Sequence, residues 1–158
     1  MFYAILKTLH LLSVIVWIGG MVFAHFFLRP AVAALEPAVR VPLMHAVLGR
    51  FFRAVLAAAV LALATGSWLI GRTAVQMARA GVRFNMPIEW MVMATLGLVM
   101  VLIFGHIRFA LYPRLGRAVQ ALDWSAGAGA LAAIRVWVLV NLGLGLLIVA
   151  VTLLGSAG

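Results

Sequence analysis

The sequence predicts an all-α, integral membrane four-helix up-down bundle, and three features carry that prediction. Hydrophobic residues make up 67% of the 158 and charged residues only 9%, whereas a soluble domain carries about a quarter charged residues. No soluble fold of this size could bury so much apolar surface, so lipid must be the solvent. Four apolar runs each exceed the roughly 18 residues that a helix needs to cross a bilayer. Strands would alternate polar and apolar residues, and a four-strand barrel cannot close, which leaves helix as the spanning form.

The first run, residues 4–28, lies within "LKTLHLLSVIVWIGGMVFAHFFLRP". It is longer than the roughly 7–15-residue apolar core of a cleaved signal peptide, so a retained signal anchor is expected. The second run, 52–71, contains "AVLAAAVLALATGSWLIG". Ala58, Ala62 and Gly66 recur there at four-residue spacing, the pattern that lets a neighbouring helix come close. The third run is 88–107, "IEWMVMATLGLVMVLIFGHI", and the fourth 133–154, "AIRVWVLVNLGLGLLIVAVTLL", where Gly143 and Gly145 offer a similar small surface.

The connections are expected to be short. Pro30, Pro37 and Pro42 punctuate residues 29–51, and the second helix is placed to start near Pro42, since proline suits a first turn. Residues 72–87 read as a loop with "TAVQMARA" on the membrane surface, and 108–132 as a helical extension ending in a flexible "DWSAGAGA" turn. The whole of 1–158 reads as one domain.

Net charge is +9, with eleven Arg and one Lys against Glu36, Glu89 and Asp123. In a soluble chain such a balance would suggest nucleic acid. Here the basic residues edge the apolar runs, where anionic headgroups and the positive-inside rule account for them, and nucleic acid is excluded as a partner. Arg29, Arg40, Arg50, Arg53, Arg108, Arg114, Arg117 and Arg135 lie on the side reached after the first run; Lys7, Arg72, Arg79 and Arg83 lie on the other. This asymmetry puts both termini in the periplasm of a bacterial inner membrane.

No Asp, Glu, Lys or Arg lies deep in a run. The polar residues at depth are His10, His25, His106, Asn141 and the hydroxyls of Ser13, Thr65, Ser67, Thr95 and Thr152. Such groups normally face the bundle interior and mark a pathway or cofactor. At ~100° per residue His25 lies ~60° round from His10, so the two share a helix face. At ~1.5 Å per residue they stand ~22 Å apart, so no single metal touches both. Two levels follow: an outer one of His10 with Met91 and also Met93, and an inner one of His25 with His106. His45, just ahead of its run, is a further candidate for the inner level.

Two chemistries fit these levels. Imidazole and thioether suit Cu(I). Paired imidazoles from two helices also suit axial ligation of a b-type haem, with arginines near the headgroups for its propionates. Gly19, Gly20 and Gly105 would leave room for such a macrocycle. Cysteine is absent, which removes thiolate ligands and disulfides. Neither a carboxylate pair, a nucleophile triad nor a phosphate loop is present, so no catalytic residues are assigned; redox enzymology would follow only from a bound haem.

"LKTLHLLSVIVWIGGMVFAHFFLRP", "LGRFFRAVLAAAVLALATG" and "FGHIRFALYPRLGRAV" resemble corresponding helices of the copper resistance protein D (CopD) family. The resemblance implies copper uptake or tolerance at the inner membrane. A related branch, the protoporphyrinogen oxidase HemJ, has a similar "LH" in its first helix and is associated with b-type haem, so the residue carried over is His10. That branch also uses a third-helix lysine, for which "EWMVMATLGLVM" has no counterpart.

The expectation is therefore an inner-membrane copper-handling protein with His/Met sites at two depths. The alternative is a b-type cytochrome exchanging electrons with quinone or another small redox partner. A third class is a structural subunit whose histidines only pack. Lipid is a partner in every case, and self-association into a homo-oligomer stays open.

Overall fold

In the computed structural model, residues 1–155 are described. They form four long helices: α1 (Phe2–Ala31), α2 (Pro37–Arg79), α3 (Ile88–Gln120) and α4 (Trp124–Gly155). All four are long and apolar enough to span a membrane, and no strand occurs among the described residues. The Phe2 ring meets Trp68 edge-on at 5.1 Å, and Gly155 lies against Glu89. The start of α1, end of α2, start of α3 and end of α4 thus share one end of the bundle, which makes it up-down.

At ~1.5 Å per residue α2 is ~64 Å long, about twice the ~30 Å hydrocarbon core. Two expected boundaries shift as a result. The second helix begins at Pro37, not near Pro42, with Glu36 in extended backbone ahead of it. Pro37 occupies the first turn, where a missing N–H costs nothing, and Pro42 is absorbed inside the helix. "TAVQMARA" is not a surface loop, because α2 runs on to Arg79. It stops at Gly81, whose φ of +71° is the left-handed conformation glycine adopts freely. The Val82 N–H then donates to the Met77 carbonyl at 3.0 Å.

"DWSAGAGA" is likewise helical from Trp124 onward. The Ala126 N–H donates to the Asp123 carboxylate at 2.9 Å, a cap that starts α4 at once. Gly127 is buried against Val41; a Cβ there would stand 2.6 Å from Val41 Cγ1. Gly127 serves close packing rather than flexibility. The turn before α4 is tight, with Leu122 at φ +56°, and the Asp123 N–H donating to the Ala118 carbonyl at 3.0 Å.

Two helices widen into π-helical turns, Phe23–Leu28 in α1 and Ile107–Leu111 in α3. Each ends two residues before a proline, Pro30 and Pro113 respectively. Proline cannot donate to the carbonyl four residues back and its ring collides with it, so the preceding turn opens to relieve the clash.

The bundle is assembled as two helical hairpins. α1 packs mainly on α2 and α3 mainly on α4, while α1 and α3 approach only sparsely. Toward the arginine-rich end the hairpins are locked by aromatic rings. Trp17 meets Phe104 at 5.9 Å, Phe104 meets Phe52 at 6.0 Å, and Phe52 meets Tyr112 at 5.5 Å, all edge-to-face. This geometry adds to the burial these rings already contribute. Toward the other end no such ring layer joins the hairpins among the described residues, and a cavity lies between them.

Candidate functional site

That cavity measures about 300 Å³ and receives residues from all four helices, among them His10, Trp17, Gly66, Met93, Met100 and Gly145. Its walls are apolar, and His10 is the ionisable residue among them.

The placement of His10 starts with the small stripe on α2. Gly66 has no side chain, and a Cβ there would stand 3.1 Å from His10 Cε1. The imidazole therefore rests almost on the α2 backbone. From there His10 Nδ1 reaches the Ala62 carbonyl at 3.0 Å and Thr65 Oγ1 at 3.1 Å. A carbonyl oxygen can only accept, so Nδ1 carries the proton. Thr65 donates its own hydroxyl to the Leu61 carbonyl at 2.6 Å, which leaves its oxygen free to accept from Nδ1. The tautomer is thereby fixed, and Nε2 keeps an unshared lone pair. A ligating imidazole is usually prepared in this way, one nitrogen held by an outer partner and the other free.

Met93 and Met100 bring thioethers to the same cavity. Met100 is 5% exposed and packs toward Gly145, whose missing Cβ would lie 3.2 Å from the Met100 methyl. Met91 does not line the cavity and is 44% exposed on the outer surface of α3. Of the two methionines the sequence placed beside His10, the fold thus brings Met93. Met100 was missed, although it stands seven residues, about two turns, from Met93 and so shares its face.

The floor of the cavity is Trp17, 6% exposed, backed by Phe104. Close by on α4 is Asn141, 1% exposed, whose side-chain oxygen has no hydrogen-bond partner. Gly145, one turn beyond Asn141, lines the His10 cavity; Val138, one turn before it, lines a second cavity. Asn141 itself lines neither. It occupies the closed layer between them.

The second cavity, about 270 Å³, lies among α1, α2 and α4 and contains His25, Arg29, Arg40 and Arg135. His106 is absent from it. That residue is exposed on α3 and stacks edge-on against Trp137 at 5.3 Å, itself 39% exposed. The expected inner pairing of His25 with His106 is therefore not assembled: one imidazole faces a cavity and the other the lipid-exposed surface. His45 stacks parallel on Tyr112 at 4.9 Å, while the Tyr112 hydroxyl donates to the His45 carbonyl at 3.1 Å. It serves the α2–α3 contact.

Gly19 and Gly105 face open space, whereas Gly20 is filled by Phe51. Among the described residues no three His, Cys, Asp or Glu side chains converge to hold a metal.

These features define a multi-pass helical membrane protein with a soft-donor cavity inside its bundle. Residues 45–154 match the family model for CopD, copper resistance protein D. The chain belongs to that family, and the family suggests a role in copper resistance. The match begins at His45, so α1 and with it His10 lie outside the matched region. Neither the curated proteins nor the solved structures gave a match.

Proposed function

We propose that this protein handles Cu(I) as cargo within the bacterial inner membrane, receiving the ion in the His10 cavity. The observation that carries the reading is the free Nε2 of His10. Its other nitrogen is held by Ala62 and Thr65, and two thioethers line the same space. Neutral imidazole with thioether is a donor set that favours Cu(I) over harder divalent ions. Membership of the copper resistance family supports the same metal. His10 stays the nitrogen donor and Met93 a sulfur donor, while Met100 takes the place of Met91.

The basic asymmetry between the two ends supports an orientation with both termini periplasmic, which puts the His10 cavity in the periplasmic half. His10 does not act as a catalyst. It fixes the ion in an apolar, low-dielectric site, and the neutral donors leave the ion's single charge uncompensated there. A monovalent soft ion tolerates this better than a divalent one would.

The test is a purified, full-length sample loaded with Cu(I) under reducing conditions and challenged with a Cu(I)-specific chelator. Optical spectra and metal content are taken on the same sample. Retention of copper by the wild type and its loss in His10→Ala is the expected result. A haem Soret band in the wild type that disappears in His10→Ala would overturn it in favour of the b-type cytochrome. Equal copper retention by both proteins would remove His10 from the site altogether.

A further inference from the structure

The second cavity is lined differently from the first. Three guanidinium-bearing residues from three helical segments meet around it: Arg29 near the end of α1, Arg40 near the start of α2, and Arg135 on α4, with His25 beside them. None of the chain's three acidic residues lines it. Arg40 donates to the Ala33 carbonyl at 3.2 Å, a contact that positions its guanidinium without neutralising it. Arg29 and Arg135 are exposed and Arg40 half-buried, and three like charges around one apolar cavity give it a positive field that favours an anion.

Helix register places apolar lining beside each of the three arginines. On α1, Arg29 lies one turn beyond His25 toward the arginine-rich end of the bundle. On α2, Arg40 precedes Leu48 and Phe51 by two to three turns, and on α4, Arg135 precedes Val138. On α2 the basic residue stands nearer the helix end than Met44, Leu48 and Phe51, whereas on α1 and α4 apolar lining lies on both sides of the arginine, with Val32 beyond Arg29 and Leu131 and Ile134 before Arg135. The site therefore combines three cations with an adjoining apolar wall that continues toward the membrane centre through Leu48, Phe51 and Val138.

All three cations are arginine, whose planar fork matches two oxygens of a phosphate at once. We infer that this cavity binds a phosphate-bearing anion, held by Arg29, Arg40 and Arg135, and that an anionic phospholipid fits it best. Its phosphodiester would take the guanidiniums and an acyl chain the Leu48, Phe51 and Val138 wall. His25 adds an imidazole one turn deeper on α1. Basic pockets between spanning helices are where such headgroups are held selectively.

The experiment uses the full-length protein, purified and stripped of lipid by detergent exchange. Phosphatidylglycerol, phosphatidylcholine and inorganic phosphate are added separately, with bound ligand read by native mass spectrometry and stability by thermal melting. The wild type is expected to retain phosphatidylglycerol over phosphatidylcholine by about tenfold or more, since both lipids offer the same phosphodiester but the choline ammonium places a further cation beside the three guanidiniums. Arg40→Gln with Arg135→Gln is expected to erase the preference. Arg114→Gln with Arg117→Gln removes equal charge from exposed positions outside the cavity and is expected to preserve it.

Inorganic phosphate that protects the protein alone and displaces the lipid would identify a free phosphate as the occupant. Protection by the lipid only identifies the membrane as the source. If the double variant does not fold, Arg135→Gln alone, at an exposed position, is compared with Arg135→Lys, and only the glutamine is expected to lose most of the preference. No preference in the wild type, or equal loss in the two double variants, would overturn the site.

Discussion

The two cavities are nearly equal in volume, about 300 and 270 Å³, and occupy opposite halves of one bundle, yet their linings share almost no chemistry. The His10 cavity has one imidazole, two thioethers and no formal charge. The arginine cavity has three guanidiniums and no thioether within reach of them except Met44. The difference teaches how a bundle with nearly uniform apolar composition separates two kinds of lining. Soft, neutral donors can be buried between helices at little desolvation cost, so a ligand site for a soft ion can lie inside the membrane. Guanidiniums cannot, so a site built from them must lie where headgroups and water begin.

The largest expected effect comes from breaking the first cavity. His10→Ala removes its nitrogen donor and is expected to reduce Cu(I) retention by about a hundredfold or more, beyond the 10–100-fold typical of losing only an outer partner. Phosphatidylglycerol retention at the arginine cavity is expected to stay unchanged, and a chelator competition run beside native mass spectrometry reads both. Coupled loss at both sites would dissolve the distinction between them.

Next come the sulfurs. Met93→Leu and Met100→Leu preserve volume while removing the thioether, and each is expected to weaken copper by about tenfold in the same competition. Met91→Leu is expected to change nothing, since that side chain is outside the cavity. Thr65→Val sharpens the picture further. It removes one of two acceptors from Nδ1 but leaves the Ala62 carbonyl at 3.0 Å, so a loss of only about two- to fivefold is expected, below the usual range for an outer partner.

The smallest effect belongs to the layer between the cavities. An unpaired buried amide oxygen costs about 1–3 kcal/mol, and Asn141 carries one. Asn141→Leu is expected to stabilise the protein by about 1 kcal/mol, a rise of a few degrees in melting temperature. Static copper retention at His10 should not change. Should passage of copper across the membrane nevertheless fall in proteoliposomes, the orphan oxygen is retained as a polar step in an otherwise apolar layer, and the two cavities are ends of one route.

Much of this was legible from composition and spacing. The four helices, their up-down order and the inward face of His10 follow from apolar run length and helical periodicity, which depend on nothing but the local chain. The small stripe Ala58, Ala62 and Gly66 also announced a close neighbour, and His10 is that neighbour. Helix ends were harder. "TAVQMARA" and "SAGAGA" read as loops because their composition is polar or glycine-rich, and both became helix: one until Gly81 offered a left-handed stop, the other because Asp123 capped it and Gly127 admitted Val41.

Partnerships across helices were the part that spacing could not give. Matched depth put His25 opposite His106 and His10 opposite Met91, but depth leaves the rotation of each helix undetermined. The α3 rotation is set by Phe104, Ile107 and Leu111 entering the core, and that turn carries His106 and Met91 outward while bringing Met93 and Met100 in. Sequence alone therefore determined the solvent, the span count, the class of donor atoms and the absence of acidic residues at depth, all properties summed over local chain. Tertiary structure decided which donors meet, which nitrogen of His10 stays free, and where three arginines converge. Those depend on how each helix is turned against its neighbours, and that is set by packing of the whole bundle.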